Sequence, residues 1–331
     1  MVRTPSFLVP GAALLALAFV AGACSSGSTE SAATTTPTTD AGTTPAVTTP
    51  GDPNVLAGTF QVKVGEFSAV SFIGKVYDGP PLTDVIWEAS LTEGDCKLLV
   101  PRVPFCNTPC GSGAACVEND VCKPYPVAHS VGEVTVTGVK DTTGGSSFTM
   151  KPVANSYQPA GGIQLAFPPF VEGAALKLVA AGDYYGSFTI ETKGVLPLVP
   201  GFDSLALAKG KGAKLTWSVP GAEAGTKIDV KLDISHHGGI KGKVECTTAD
   251  DGELELSATM ISALIDLGVA GWPTIVVARK AVGSTTISPG RVEFIASSEV
   301  ERAITLEGVV SCTDSSQCPQ GQTCQNDLTC K

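Results

Sequence analysis

The sequence predicts an all-β protein: an antiparallel β-sandwich (one or two) with one short helix and two disulfide-stapled irregular segments. Three observations carry that prediction. Apolar and polar residues alternate with period two in many short runs, as half-buried strands require. Glycine and proline are abundant, 37 and 23 of 331 residues, while only 16% of residues are charged, a balance suited to turns rather than helices. Cysteines number eleven, and eight of them fall in two tight clusters.

The chain opens with one positive charge, Arg3, ahead of an uncharged apolar run from Ala12 to Val20. The run is shorter than the ~18–20 residues a membrane span requires, so residues 1–23 read as a signal peptide. It closes on Val20-Ala21-Gly22-Ala23-Cys24, followed by polar Ser25-Ser26-Gly27-Ser28. Small residues leading into a cysteine resemble a bacterial lipobox, with Ala21 where that pattern usually has Leu. The resemblance implies a lipoprotein in which the Cys24 thiol is diacylated, the preceding peptide is removed, and the new amino terminus is acylated, palmitate being a typical chain. Ser25 stands where inner-membrane lipoproteins commonly carry Asp. The resemblance therefore implies an outer-membrane lipoprotein of a Gram-negative bacterium, periplasmic or surface-exposed, whose partner is the membrane through its N-terminal acyl chains. The bland alternative is an ordinary secretory leader with Cys24 incidental.

Residues 24–53 form the lipidated cysteine and a disordered tether. This stretch is almost entirely Ser, Thr, Ala, Gly and Pro, as in Thr34-Thr35-Thr36-Pro37-Thr38-Thr39, and offers too little apolar surface to offset ordering entropy. Its length is ~90 Å as an extended polyproline-type chain and about 30 Å as a flexible coil.

Residues 54–200 read as a β-sandwich region. Phe60, Val62 and Val64 alternate with Gln61 and Lys63, and residues 70–77 make a second strand stopped by Asp78-Gly79-Pro80-Pro81. Val85-Ile86-Trp87 is a third. A cysteine-rich insert, residues 96–126, interrupts the alternation. Strands resume at 131–139, 148–153, 163–167, 174–180 and 187–192, at spacings short enough for antiparallel connections. Pro197 and Pro200 mark an internal boundary at 196–201.

Residues 201–310 read as a second β region. Lys214-Leu215-Thr216-Trp217-Ser218-Val219 alternates cleanly, as do residues 227–234, with Ile228, Val230, Leu232 and Ile234 on one face. Gly238-Gly239 turns the chain into 240–246, and Asp250-Asp251-Gly252 turns it into 254–256. The helix is 257–267: Met260, Ile261, Leu264 and Ile265 share a face, Ser257 caps its start, and Gly268 stops it. Strands at 272–279, 291–296 and 303–309 complete the region.

Formal net charge is −10, and −11 once Arg3 leaves with the leader. Lys and Arg are scattered, so the basic footprint that phosphate backbones require is absent from the sequence, and no nucleic-acid partner is expected. With Cys24 lipidated, ten cysteines remain, an even number suited to an oxidising compartment.

Residues 311–331 contain Cys312, Cys318, Cys324 and Cys330 at strict C-x5-C spacing, with Leu328 as the only aliphatic side chain between those cysteines. Burial cannot fold such a segment, and disulfides at roughly 2–4 kcal/mol each must do so. Cys106, Cys110, Cys116 and Cys122 repeat the idea within the insert. Four cysteines admit three pairings, and the sequence leaves them open. The pattern resembles the short Cys-Pro-x-Gly-x-x-Cys modules of surface proteins from Gram-negative soil bacteria, and in spacing the EGF- and Dickkopf-like stapled loops. That resemblance implies alternate pairing: Cys106–Cys116 with Cys110–Cys122, and Cys312–Cys324 with Cys318–Cys330. Cys96 and Cys246 are then left to bridge across the sandwich. A zinc site is disfavoured, because only the Cys106–Cys110 gap fits structural zinc.

Candidate sites are few. The sequence nominates no catalytic residue, metal or cofactor. It contains no G-x-S-x-G elbow and no phosphate loop, and its three histidines have no local partner. His236 and His237 sit at a hairpin tip and His129 follows Pro124-Tyr125-Pro126; all three read first as solvated turn residues. His236 and His237 are also weak binding candidates. Asp250-Asp251-Gly252-Glu253 reads as a turn before it reads as a calcium loop. Trp87 and Trp217 share parity with core aliphatics and are expected in the interior. Tyr184-Tyr185 is a candidate contact platform, because adjacent strand residues face opposite ways and one ring must point outward.

The expected function is a non-catalytic binding or display module for an envelope protein or polysaccharide. A surface hydrolase on the same scaffold and a structural envelope protein are the alternatives.

Overall fold

The computed structural model describes residues 50–221 and 225–331; the leader, Cys24 and the tether up to residue 49 lie outside the described residues. Among these, β1 (Leu56–Val64) and β2 (Val70–Tyr77) form a hairpin, and β3 (Ile86–Glu93) and β4 (Cys96–Arg102) form another. The stapled insert follows as a small hairpin of β5 (Ala114–Glu118) and β6 (Val121–Pro124). Next come β7 (Ala128–His129), β8 (Val134–Thr137), β9 (Ser147–Met150), β10 (Ser156–Tyr157), β11 (Ala175–Ala180) and β12 (Phe188–Lys193). Beyond the proline-rich crossing lie β13 (Ser204–Leu207), β14 (Ala213–Thr216), β15 (Lys227–Asp233), β16 (Lys243–Ala249) and β17 (Glu253–Leu256). The helix α1 (Ala258–Asp266) leads to β18 (Thr274–Ile287) and β19 (Gly290–Leu306).

One large sheet runs β10-β2-β1-β19-β18-β15-β16-β4-β3, with β7 added to β2 and β13 to β19. A four-stranded sheet, β12-β11-β8-β9, shares a core with one half of it. The pair β14-β17 and α1 share a core with the other half. The architecture is the expected β-sandwich with one short helix, but its large sheet is mixed. Strands β1 and β13 both lie parallel to β19. Alternation tells which face a side chain takes and carries no information on strand direction.

Two cores result. The first gathers Phe60, Val62 and Phe72 with Val134, Val136, Leu176, Leu178, Ile190 and Phe294. The second gathers Leu215, Trp217, Ile228, Val230, Leu232, Ile261, Leu264 and Ile275. The crossing at 196–201 is where the chain passes between them, Val195 belonging to the first and Leu198 to the second. The β18–β19 hairpin serves both: Val292, Phe294 and Ala296 enter the first, Val300, Ile304 and Leu306 the second. It passes close to the small sheet at Gly283, where a Cβ would lie 1.9 Å from the Glu191 carbonyl oxygen. No other residue fits that crossing.

Three local expectations are corrected. The segment 96–126 is not irregular throughout, because Cys96 and Leu98 point inward as part of β4 and register against β16. The Leu98-Leu99-Val100 run masks the alternation. Residues 163–167 form no strand; Leu165 makes a single bridge to Asp141. The separate strands expected at 291–296 and 303–309 are replaced by one continuous β19 of 17 residues, which ends at Leu306 and leaves 307–309 outside it. The helix matches its reading: the Ser257 hydroxyl accepts from the Met260 amide at 3.0 Å, and Gly268 leaves the helix at φ +90°.

Candidate functional site

The stapled insert exits beside the end of β2, and two elements meet there. Asp78 accepts a hydrogen bond from the Val127 amide at 2.7 Å through Oδ1, while its own amide donates to the Val127 carbonyl at 3.0 Å. That clamp seats β7 on β2, Val76 opposite His129. His129 Nε2 lies 3.5 Å from the other Asp78 oxygen, Oδ2.

The turn between β11 and β12 supplies the aromatics. Gly182 takes φ +91°, its amide donates to the Val131 carbonyl, and the Tyr184 amide donates to the Ser130 carbonyl. Tyr184 is thereby laid flat on His129, ring centroids 3.8 Å apart and planes 9° from parallel. Tyr185 meets both rings edge-on, at 4.9 Å from Tyr184 and 5.9 Å from His129. The two tyrosines part, although they lie in this turn and not on a strand as expected: Tyr184 is 62% exposed and Tyr185 5%. The Tyr185 hydroxyl is buried with no hydrogen-bond partner among the described residues. Burial, the Asp78 carboxylate and Tyr184 push its phenol up to about 12. The result is an exposed ring pinned by a stacked imidazole, itself held by a carboxylate, at the edge of the first core.

His129 was expected to be a solvated turn residue, and the structure corrects this. A four-residue sequence neighbourhood could not show it, since Asp78 is 51 residues away. His236 and His237 take no part in this cluster. They occupy the turn after β15, ring centroids 3.9 Å apart, with His237 exposed at φ +62° and 6.4 Å from Trp272. The Trp272 amide donates to the His236 carbonyl at 2.8 Å, and the C-terminal module docks beside it through the Asp327 carbonyl and the Gly271 amide at 2.7 Å.

The ten cysteines of the described residues are all in disulfides. The insert pairs Cys106–Cys116 and Cys110–Cys122, and the C-terminal module pairs Cys312–Cys324 and Cys318–Cys330. Cys96 and Cys246 are bonded, but within one sheet rather than across the sandwich. They are direct partners on β4 and β16, with Cα atoms 4.0 Å apart. The sulfurs of Cys106, Cys110 and Cys116 lie within 4.8 Å of one another, as do those of Cys312, Cys318 and Cys330, yet disulfide sulfur offers no thiolate to a metal.

Two further placements depart from expectation. Trp87 is half-buried on the edge strand β3, capped by Lys243 Nζ at 4.1 Å from its ring. Asp250 does lie at the β16–β17 turn, but its carboxylate turns inward. There it accepts from Arg279 Nε at 2.6 Å and from Trp217 Nε1 at 2.8 Å.

No family model matches the sequence, and no curated protein matches it. Among solved structures, it is similar to the FN1–FN3 domains of chicken CNTN1, at 13% identity over 69% of this chain and 71% of that one. The TM-score is 0.19, a likeness too slight to bear on fold or role.

Proposed function

We propose that this chain is a non-catalytic binding module, displayed from the outer membrane on acyl chains at Cys24 and a Thr/Pro-rich tether. It presents the Tyr184–His129–Asp78 surface to a protein or a glycan. The observation that carries the reading is the Tyr184 ring, open to solvent on one side and stacked on His129 on the other. A ring held this way loses little freedom when it is covered, and its face suits a sugar ring or an apolar side chain. Stapling around the platform fits an exterior where reduction is rare: two disulfides hold the neighbouring insert. Each acyl CH₂ buried at Cys24 adds about 0.8 kcal/mol, so several chains hold where one would not.

Two experiments test this. Metabolic labelling with a palmitate analogue, followed by fractionation, is expected to find label in the outer membrane for the wild type and none for Cys24→Ala. A screen of envelope polysaccharides and envelope proteins is expected to yield a ligand whose binding falls at least tenfold in Tyr184→Ala. Unlabelled wild type removes the anchor, and a ligand indifferent to Tyr184 removes the platform.

A further inference from the structure

Strand β9 is a bare sheet edge. It ends the four-stranded sheet, pairs with β8 alone among the described residues, and reads Ser147-Phe148-Thr149-Met150, with no charge, proline or bulge. Sheets ordinarily blunt such edges. The end strand of the large sheet, β3, shows how: its register shifts between Ala89 and Leu91, and Glu88 stands exposed on it.

The pairing fixes which main-chain groups are free. The Gly138 amide donates to the Ser146 carbonyl at 2.8 Å, and bonded and non-bonded pairs alternate along an antiparallel ladder. Phe148 and Met150 therefore bond to β8. Ser147 and Thr149 turn their amides and carbonyls away from it. The Thr149 and Thr135 hydroxyls lie 2.9 Å apart, the close side-chain approach of a non-bonded pair.

A cleft of about 530 Å³ runs alongside, bounded by Thr149 and Lys151, by Val153 and Ser156, and by residues 158–161. Val153 is 76% exposed, yet its position is fixed. Its amide and carbonyl exchange hydrogen bonds with Ser156 at 2.9 and 3.0 Å, and the Asn155 side chain between them donates to the Ala128 carbonyl at 2.8 Å. Lys151 is the one charged side chain of the lining. Its pair with Glu133 is long, 3.4 Å, and exposed, so it is weak.

We infer that this edge takes up an extended peptide segment of a partner protein, which adds a fifth strand to the small sheet beside β9. Free donors and acceptors at strand spacing are matched by another strand, whereas a glycan or a lipid offers no such ladder. Alternate side chains of the added strand share the face of Phe148 and Met150 and enter the cleft, which selects an apolar residue there. Lys151 selects an acidic one beside it. Four residues of edge suit a short peptide. The surface shares no residue with the Tyr184 platform and stands without it.

The test pans a phage library of random octapeptides on the biotinylated full chain in detergent. Recovered sequences are expected to alternate apolar and polar residues and to carry Asp or Glu. A synthetic copy of the dominant peptide is expected to bind at least tenfold more weakly once its ladder-facing amides are N-methylated, since the side chains stay and the main-chain donors go. Thr149→Pro deletes an amide that faces away from β8, a change edge strands tolerate. It is expected to melt within about 2 °C of wild type and to bind the peptide at least tenfold more weakly. Amide exchange at Ser147 and Thr149 is expected to slow when peptide is added, and Val153→Lys to weaken binding roughly fivefold. Tyr184→Ala is expected to bind the peptide as wild type does. A library that yields no Thr149-dependent peptide, equal binding of the N-methylated form, or binding lost in Tyr184→Ala overturns the inference. So does self-association of the peptide-free chain that Thr149→Pro abolishes, which assigns the edge to a second copy.

Discussion

Arg279 and Asp250 face each other inside the second core, Nε to Oδ2 at 2.6 Å, with side chains 1% and 6% exposed. The Arg279 Nη2 also donates to the second Asp250 oxygen at 3.1 Å and to the Ser218 carbonyl, and Trp217 Nε1 donates to Asp250 from the side. The pair ties the β16–β17 turn to the middle of β18.

Removing one partner strands the other charge in the interior. Asp250→Asn is expected to cost about 3–5 kcal/mol in urea unfolding. The double variant Asp250→Leu/Arg279→Met should recover most of that loss, since both charges leave together. A double variant no more stable than Asp250→Asn would mean that the hydrogen bonds to Trp217 and Ser218, not the charges, matter.

Tyr185 gives a stability test with a pH signature. Its phenol titrates near 10 when unfolded and at about 12 when folded, so the native state holds its proton longer. The resulting stabilisation is complete below pH 10 and is lost as pH rises toward 12. Tyr185→Phe is expected to flatten that alkaline decline. At pH 7 it should stabilise by about 1 kcal/mol, because a buried hydroxyl with no partner among the described residues is removed. Thermal melts at pH 7, 10 and 11 check both effects.

Glu66 titrates in the opposite sense. Hydrogen bonds from Arg302 hold its carboxyl below the ordinary 4.5 against an opposing effect of burial. Its contribution is present above that ordinary value and disappears as pH falls through the lowered one. Arg302→Met should cost about 0.5–1 kcal/mol at pH 7, as partly exposed pairs do, and should make the fall in stability below pH 4.5 shallower. A loss that persists unchanged at pH 3 would assign it to packing instead.

The C-terminal module stands on its disulfides. Replacing Cys312 and Cys324 by Ala is expected to remove about 2–4 kcal/mol of local stability and to raise amide exchange across residues 312–331. The β18–β19 hairpin should keep its protection, since its hydrogen bonds and both cores lie elsewhere. Exchange rising in both regions would show that the module holds the sandwich together.

The candidate surface was half legible. Tyr184 and Tyr185 stood out because glycines flank the pair and strand parity was expected to send one ring outward; the structure exposes Tyr184 and buries Tyr185, but it does so from the β11–β12 turn, where parity does not act. His129 and Asp78 did not, because what makes them matter is a contact across 51 residues of chain, through a stapled insert. Arg279 read as the end of a strand and Asp250 as a turn residue. Neither position announces burial, since a charged side chain is placed inside by its partner rather than by its own pattern.

By itself the sequence determined what is local. Period-two alternation put residues such as Ile228, Val230 and Leu232 on one buried face, Ser257 and Gly268 bounded the helix, and the C-x5-C spacing demanded crosslinks. Each follows from geometry repeated over a few residues. Only the tertiary structure decided that β1 and β13 run parallel to β19, that Cys96 and Cys246 are neighbours in one sheet, and that one long hairpin serves two cores. Those outcomes depend on which distant strands pair. Pairing is chosen by the summed packing of whole faces, a quantity that no short window of residues contains.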